Sequence, residues 1–549
     1  LTLTQDSVDL TGFVDNINLT FSATLPATLV LESGTLRAIS KRIATSIQTG
    51  LLDETLTSTM TDMDTDTGNV TGSTAGPAPL SAAPSLYPFS TPSSASPSPI
   101  DERVSQAVAL CCGVGRWPAT PGFRTGEAHL NALATAGGDA IREVAMRRCW
   151  HHGETDWRHP APPSAQWGGL VAAAERFDSV FFGISAAETE AMDPQQRLLL
   201  EVGYAAIHGA TKRWYDLLEC DVGIVVGLMN TDFADVRHTA KSPVGLASSA
   251  SIYLATGSQL SIAAGRLGFA LGTQGPCVSV DTACSSALVA INIAMQSMQS
   301  RATHMAIAAA ANLLLLPRVS LLFSAAGMLS ADGRCKTFDA RANGYARSEG
   351  MGALVLQRSD GGTAMLSSSA VRQDGRSASL TAPNGSAQRT LLLLALGSMS
   401  ATLLGSVEMH GTGTALGDPT EAGALAHAHG GYTRKTPLVA GTAKASLGHS
   451  EAPSGSVGLV RVNEVLSSLA AAGNAQLRSL NPLVRERVRS RDGHVVLPMQ
   501  MAAAAQRQAC GVSSFGYSGT IAHAVLAAAS GNGLVESLPW TLAVGVRKL

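Results

Sequence analysis

Charge is scarce in this chain. Only 15% of its 549 residues are charged, and 39 Lys and Arg stand against 41 Asp and Glu. No basic block emerges, so nothing predicts nucleic acid or an anionic membrane surface as a partner. No uncharged run reads as a membrane span either. The apolar run Thr390 to Val407 is divided by Ser398-Met399-Ser400 and reads as a buried helix, a turn and a strand. The eight cysteines lack metal-ligand spacing. Cys111 and Cys112 alone are close, and adjacent cysteines make a poor chelate and a strained disulfide. Reduced thiols, an intracellular compartment (cytoplasm or plastid) and no metal are the expectations.

What is present is glycine, at 55 residues, and apolar residues at 45%, ample for a large core with many sharp turns. Residues 1 to 44 are amphipathic. Residues 45 to 103 are rich in Ser, Thr, Ala and Pro, with Pro77, Pro79, Pro84, Pro88, Pro92, Pro97 and Pro99 close together. Such a stretch cannot bury enough apolar surface to offset its ordering entropy and is expected to be a linker. Within it, Asp62-Met63-Asp64-Thr65-Asp66 is similar to the opening of a calcium loop. Gly68 comes one position late and no Glu closes it, so it reads as solvated linker. Residues 104 to 530 alternate apolar strands such as Val222 to Gly227 with helical stretches such as Asp193 to Ile207, which argues for an α/β domain. No short internal repeat is evident. Residues 531 to 549 read as another linker, and the start at Leu1 suggests a piece of something longer.

Three segments carry chemistry. Gly275 to Asp281 reads as a short buried strand, and Ala283-Cys284-Ser285-Ser286 then opens an apolar helix. A cysteine there lies near free backbone N–H groups and the positive end of the helix dipole, which favour the nucleophilic thiolate and can stabilise an acyl oxyanion. Alone, such a cysteine is usually a small core residue. Two histidines alter that balance. His410 enters the loop Gly411-Thr412-Gly413-Thr414, and His449 follows Lys444-Ala445-Ser446-Leu447-Gly448. Both stand beside small residues that admit a substrate closely.

Together these segments resemble the β-ketoacyl synthase family. Asp281-Thr282-Ala283-Cys284-Ser285-Ser286 is similar to its nucleophile signature, and His410 to Thr414 with Leu416-Gly417-Asp418-Pro419-Thr420-Glu421-Ala422 to its second. Lys444 with Gly448-His449-Ser450-Glu451 is similar to the third. Phe181 to Ser185, Ala191 to Arg197, Gly327 to Ser330, Gly333 to Asp339 and Ser513 to Thr520 add further blocks, so the resemblance runs from about Val104 to Leu526. The wording is that of modular type I polyketide synthases. Asp6-Ser7-Val8 with Leu25 to Val30 resembles the second half of an acyl carrier protein, and Ser537-Leu538-Pro539-Trp540 the linker toward an acyltransferase.

The resemblance implies a thiolase-like five-layered α/β/α/β/α fold, a homodimer, and decarboxylative condensation between acyl and malonyl-type thioesters on carrier domains. Cys284 would carry the acyl chain. His410 and His449 would polarise the malonyl thioester, and Lys444 would tune and orient His449. The N–H groups of Cys284 and Tyr517 would form the oxyanion hole, with Glu451 in the supporting network. Thr412 and Thr414 would bind the phosphopantetheine arm, and Ser7 would be a phosphopantetheine attachment site. Neither metal nor nicotinamide is implied. Asp418 and Glu421 read as helix-capping carboxylates. Ile521, Ser348, Arg372, Pro453-Ser454 and a short connection at 360–365 depart from the family pattern. Ile521 and Ser348 keep open a narrowed tunnel or an idle, carrier-docking scaffold. A non-elongating variant is the other alternative.

Overall fold

The computed structural model describes residues 107–118, 133, 136–144, 162–210, 212–239, 252–359, 361–429, 434, 436–468, 470–489, 495–503 and 509–529. The carrier-like segment with Ser7 and both expected linkers lie outside the described residues.

Eleven strands make the main sheet. They are β1 (Val108–Arg116), β2 (Val222–Gly227), β3 (Cys277–Val280), β4 (Met305–Asn312), β5 (Gly350–Arg358), β6 (Ala364–Gln373), β7 (Leu404–Glu408), β8 (Leu438–Gly441), β9 (Val495–Val496), β10 (Ala509–Phe515) and β11 (Thr520–Ala528). Across the sheet they run β9-β8-β7-β10-β11-β6-β1-β5-β4-β2-β3. The order hides a duplication. In the first half β3, β2 and β4 are parallel, β5 is antiparallel to β4, and β1 is antiparallel to β5. The second half repeats this with β8, β7, β10, β11 and β6. A short antiparallel pairing of β1 with β6 joins them.

Burial explains the strand compositions. β2, β4 and β7 are buried along their whole length and are apolar or small up to the last residue of each, with Asn312 closing β4 and Glu408 closing β7, as suits parallel strands covered on both faces. Helices supply the covers. Helices α1 (Pro194–Gly209) and α2 (Leu260–Leu271) pack on the first half. Helices α3 (Ser286–Gln299) and α7 (Ser454–Ser468) lie between the halves and touch each other. Helices α4 (Gly385–Leu396) and α5 (Gly417–His429) cover the second half; α6 (Lys444–Leu447) is a single turn ahead of α7. This is the expected five-layered arrangement. Helix α1 starts where Asp193 accepts the Gln195 N–H at 2.7 Å, with Pro194 at its first position. The run from Thr390 to Val407 is helix, turn and strand, as expected.

One expectation fails at the first half's edge. The strand before Cys284 exists, but it is the outermost strand, and Cys277 and Val278 are exposed, not buried. An edge strand lacks a neighbour on one side, so an apolar sequence there does not imply burial.

Among the described residues no helix is long and apolar enough to cross a membrane, and no cluster of His, Cys, Asp and Glu could hold a metal ion. Of the described cysteines, Cys111, Cys220, Cys277, Cys284, Cys335 and Cys510 are free thiols.

Candidate functional site

The sharp turn between β3 and α3 is built by its own side chains. Asp281 accepts the Ala283 N–H at 2.9 Å, and Ser286 Oγ accepts that of Thr282 at 2.9 Å. Ala283 sits at φ 55°, a left-handed conformation costly for a residue with a Cβ. Cys284 is thereby placed one turn before α3. Its carbonyl oxygen accepts two hydroxyls, Ser514 Oγ at 2.6 Å and Ser454 Oγ at 3.1 Å. Its sulfur faces the backbone N–H groups of Tyr517 and of Cys284 itself, the two donors expected for an oxyanion hole. The expected thiolate is not what this setting favours. Burial pushes the Cys284 thiol up to about 12, Glu451 adds to the rise, and Lys444 and the two N–H groups only partly oppose it. Desolvation thus works against the thiolate that the helix start would favour.

The two histidines are locked in the same way. His410 follows β7, and its Nδ1 accepts the Phe515 N–H at 3.3 Å. The Nδ1 of His449 accepts the Glu451 N–H at 3.3 Å. A ring nitrogen that accepts carries no proton, so each neutral imidazole has its N–H at Nε2. Both are held neutral: burial drives each well below the usual imidazole value, and the Lys444 charge adds to it. Their ring centroids are 5.3 Å apart, near perpendicular at 86°, and His449 Nε2 is buried with no hydrogen-bond partner among the described residues. Ser514 bonds Cys284 while its neighbour Phe515 bonds His410, so β10 ties the cysteine and the imidazole together.

Carboxylates set the loop after β7. Glu421 accepts the N–H groups of His410 at 2.7 Å and Gly411 at 2.8 Å. Asp418 accepts those of Gly413 at 3.0 Å and Phe338 at 2.7 Å. These contacts correct the expectation of helix caps: both side chains turn back into the loop that carries His410, Thr412 and Thr414, whose buried N–H groups have no strand partner. Burial raises Asp418 to about 6 and Glu421 to about 7. The hydroxyls of Thr412 and Thr414 lie 3.3 Å apart, and Thr414 Oγ accepts the Gly417 N–H.

Lys444 is buried, which removes the surface salt bridge as a reading. Burial lowers its pKa against the charges of Glu408 and Glu421. The contact that orients the His449 ring is the Glu451 N–H, while Lys444 acts on both imidazoles through its charge. Glu451 is fully buried and clamped by Arg347, with Nε to Oε1 at 2.6 Å and Nη2 to Oε2 at 3.0 Å. Asn230 donates to Oε2 at 3.3 Å and to Asn312 at 2.7 Å.

The departures fall around the site. The Ser348 hydroxyl donates to the Glu349 carbonyl at 3.0 Å, and its side chain packs against Gly169 and Gly448. Ile521 is buried with Leu391 and Phe515, and the Phe515 ring lies 5.4 Å from that of His410. Ser454, one of the departures, reaches the Cys284 carbonyl. Sequence reasoning missed the roles of Ser454, Ser514, Phe515, Arg347 and Asn230. Ser514, Phe515 and Arg347 stand inside or beside family motifs, but nothing in the sequence marks Asn230.

Two family models match the chain: the β-ketoacyl synthase N-terminal domain over residues 113–361 and its C-terminal domain over 363–477. A phenolphthiocerol/phthiocerol polyketide synthase component from Mycobacterium tuberculosis is 40% identical over 442 residues. That match covers 78% of this chain and 20% of the relative. Among solved structures, the ketosynthase from module 6 of the bacillaene synthase of Bacillus subtilis matches with a TM-score of 0.67 at 30% identity, over 77% of this chain and 72% of that one. An oxazolomycin ketosynthase domain from Streptomyces albus matches with a TM-score of 0.69 at 27% identity, over 78% and 75%.

Proposed function

Because the chain belongs to the β-ketoacyl synthase family, we propose that it is an elongating ketosynthase of a modular type I polyketide synthase. The chain spans only about a fifth of the curated polyketide synthase it matches, so the assembly and its product are not read from that relative. The observation that carries the proposal is the pair of neutral imidazoles, each with its proton at Nε2, beside a cysteine faced by two backbone N–H groups.

Cys284 takes an acyl group from a carrier thioester. Its S–C bond forms, the pantetheine thiol leaves, and the Cys284 proton departs with it. The thioester oxygen gathers charge between the Cys284 and Tyr517 N–H groups. A malonyl-type thioester then docks, its phosphopantetheine arm held by Thr412 and Thr414. Its C–C bond to the carboxylate breaks, carbon dioxide leaves, and the electron pair becomes an enolate whose oxygen accepts from His410 and His449 Nε2–H. Neutral donors serve here, since an imidazolium would surrender its proton to the enolate. The carbanion attacks the acyl carbonyl, the S–C bond at Cys284 breaks, and the sulfur takes a proton. The product is a β-ketoacyl thioester. No step calls on a metal or nicotinamide.

The partners are acyl carrier domains and, through the exposed edge of β3, a second copy of this chain. Val278 and the 90%-exposed Phe269 on the adjacent α2 offer the apolar surface for it. The carrier fragment with Ser7 as its attachment site, and an intracellular compartment (cytoplasm or plastid), complete the reading.

Incubation with an acyl-pantetheine thioester and malonyl carrier protein tests it. Acylation of Cys284 followed by carbon dioxide release and condensed product is expected. Acylation without condensation would make the domain non-elongating, and no acylation would make it a scaffold.

A further inference from the structure

His449 can donate from Nε2 only if something keeps the proton off Nδ1, and that something is the backbone N–H of Glu451. This N–H reaches Nδ1 because Glu451 has φ 58°, a left-handed conformation that residues with a Cβ rarely adopt. A residue held so must be anchored by its surroundings. The anchor is visible. Arg347 meets both carboxylate oxygens of Glu451 in a fork, at 2.6 and 3.0 Å, and both side chains are buried to within 1%. The third arm of the guanidinium donates to Ser320 Oγ at 2.9 Å, and the plane lies over the Phe323 ring at 5.4 Å. Asn230 braces the carboxylate from the other side. The same segment fixes the histidine backbone: the His449 N–H donates to the Ala346 carbonyl at 2.7 Å, and the His449 carbonyl accepts the Ser348 N–H at 2.8 Å. One segment, 346–348, thus holds His449 by its main chain and, through Arg347 and Glu451, by its ring.

We propose that Arg347 and Glu451 are positioning residues for His449, their buried ion pair holding the Glu451 N–H on Nδ1 and thereby presenting Nε2–H to the malonyl thioester. The last link rests on the ketosynthase reading; the hold on the tautomer does not. Lysine in place of Arg347 keeps the charge but loses the fork, so Glu451 is released toward an ordinary backbone conformation and the imidazole proton redistributes between its nitrogens.

The test uses the full chain with 15N-labelled histidine, in wild type, Arg347→Lys and the doubly neutral Arg347→Met/Glu451→Gln. The double variant avoids a buried unpaired charge, and Arg347→Lys carries the test if it does not fold. His449 is assigned by the resonances lost in His449→Gln. Three quantities are read: the His449 tautomer, malonyl decarboxylation, and alkylation of Cys284 by iodoacetamide. The fixed Nε2–H pattern of the wild type is expected to average in the variants. The decarboxylation kcat should fall about 10- to 100-fold with little change in KM, and in Arg347→Lys, which keeps the Glu451 charge that bears on Cys284, alkylation should stay within about twofold, since the Cys284 turn is built elsewhere. An unchanged tautomer, or alkylation falling as far as decarboxylation, would overturn the proposal. A wild type that releases no carbon dioxide, with a tautomer that still averages in the variants, would sink the ketosynthase reading and leave the positioning role standing.

Discussion

After β3 the chain needs only residues 281–285 to enter α3. After β8, the equivalent strand of the second half, it takes residues 442–453 to enter α7. The strand order around both is the same, so what differs is what each connection can hold. The short one has room for a strained turn at Ala283 and one reactive side chain, Cys284, at a helix start. The long one holds Lys444, His449 and Glu451, a charge and a proton-donating ring with its brace. The halves meet at these connections. The Ala287 N–H donates to the Ala452 carbonyl at 3.1 Å, and Ser454 at the start of α7 donates to the Cys284 carbonyl. On the proposed reading, one duplicated frame thus delivers a nucleophile from one copy and an electrophilic donor from the other, with little reorganisation required at the moment of reaction.

That division can be broken from either side. Cys284→Ala empties the short connection, and single-turnover condensation should fall by about 10^4-fold or more, since covalent catalysis is then impossible. His449→Ala empties the long one. Decarboxylation should fall about 10^2- to 10^3-fold, the scale of losing one positioned donor, while acylation of Cys284, followed by intact mass, continues.

Acid sharpens the comparison. His410 and His449 have folded-state values well below 6.5. As pH falls, protons bind the unfolded chain first, so the stability these groups contribute is present above about 6.5 and drains away below it. His449→Gln cannot titrate there, so between pH 7 and pH 5 its melting temperature should shift less toward destabilisation than that of the wild type. Asp418 and Glu421, raised by burial to about 6 and about 7, take up protons in the folded chain and act in the opposite sense in both. The smallest effect belongs to the contacts that tie the halves together. Ser454→Ala and Ser514→Ala each remove one hydroxyl from the Cys284 carbonyl and should cost about 1 kcal/mol in denaturant unfolding, slowing acylation by no more than about fivefold.

Much of this was legible in the residues themselves. The motifs around Cys284, His410 and His449 are local, and their order along the chain announced the family and so the layers. The duplication was not legible, because the halves share a pattern of strand pairing and not of side chains: Cys284 and His449 occupy equivalent connections that differ in length and share little beyond a Thr-Ala pair. Val278 misled for a related reason, since an apolar strand looks the same at an edge as at the centre. Glu421 and Asp418 stand where helix caps would, and only the fold shows them turned back into the loop that carries His410. The thiol of Cys284 was read from its helix terminus alone, whereas burial, a property of the whole domain, pushes it the other way.

Burial and a high pKa do not by themselves mark the nucleophile. Cys335 is buried like Cys284 and is likewise pushed up to about 12, but its sulfur accepts the Ala346 N–H at 3.3 Å and is spent on packing. Peptide mapping after a brief exposure to an acyl-pantetheine thioester, then a chase with malonyl carrier protein, tests the central claim directly. The account predicts the acyl mass on the Cys284 peptide alone, discharged by the chase as carbon dioxide appears. An acyl group on Cys335, or one on Cys284 that the chase leaves in place, would contradict it.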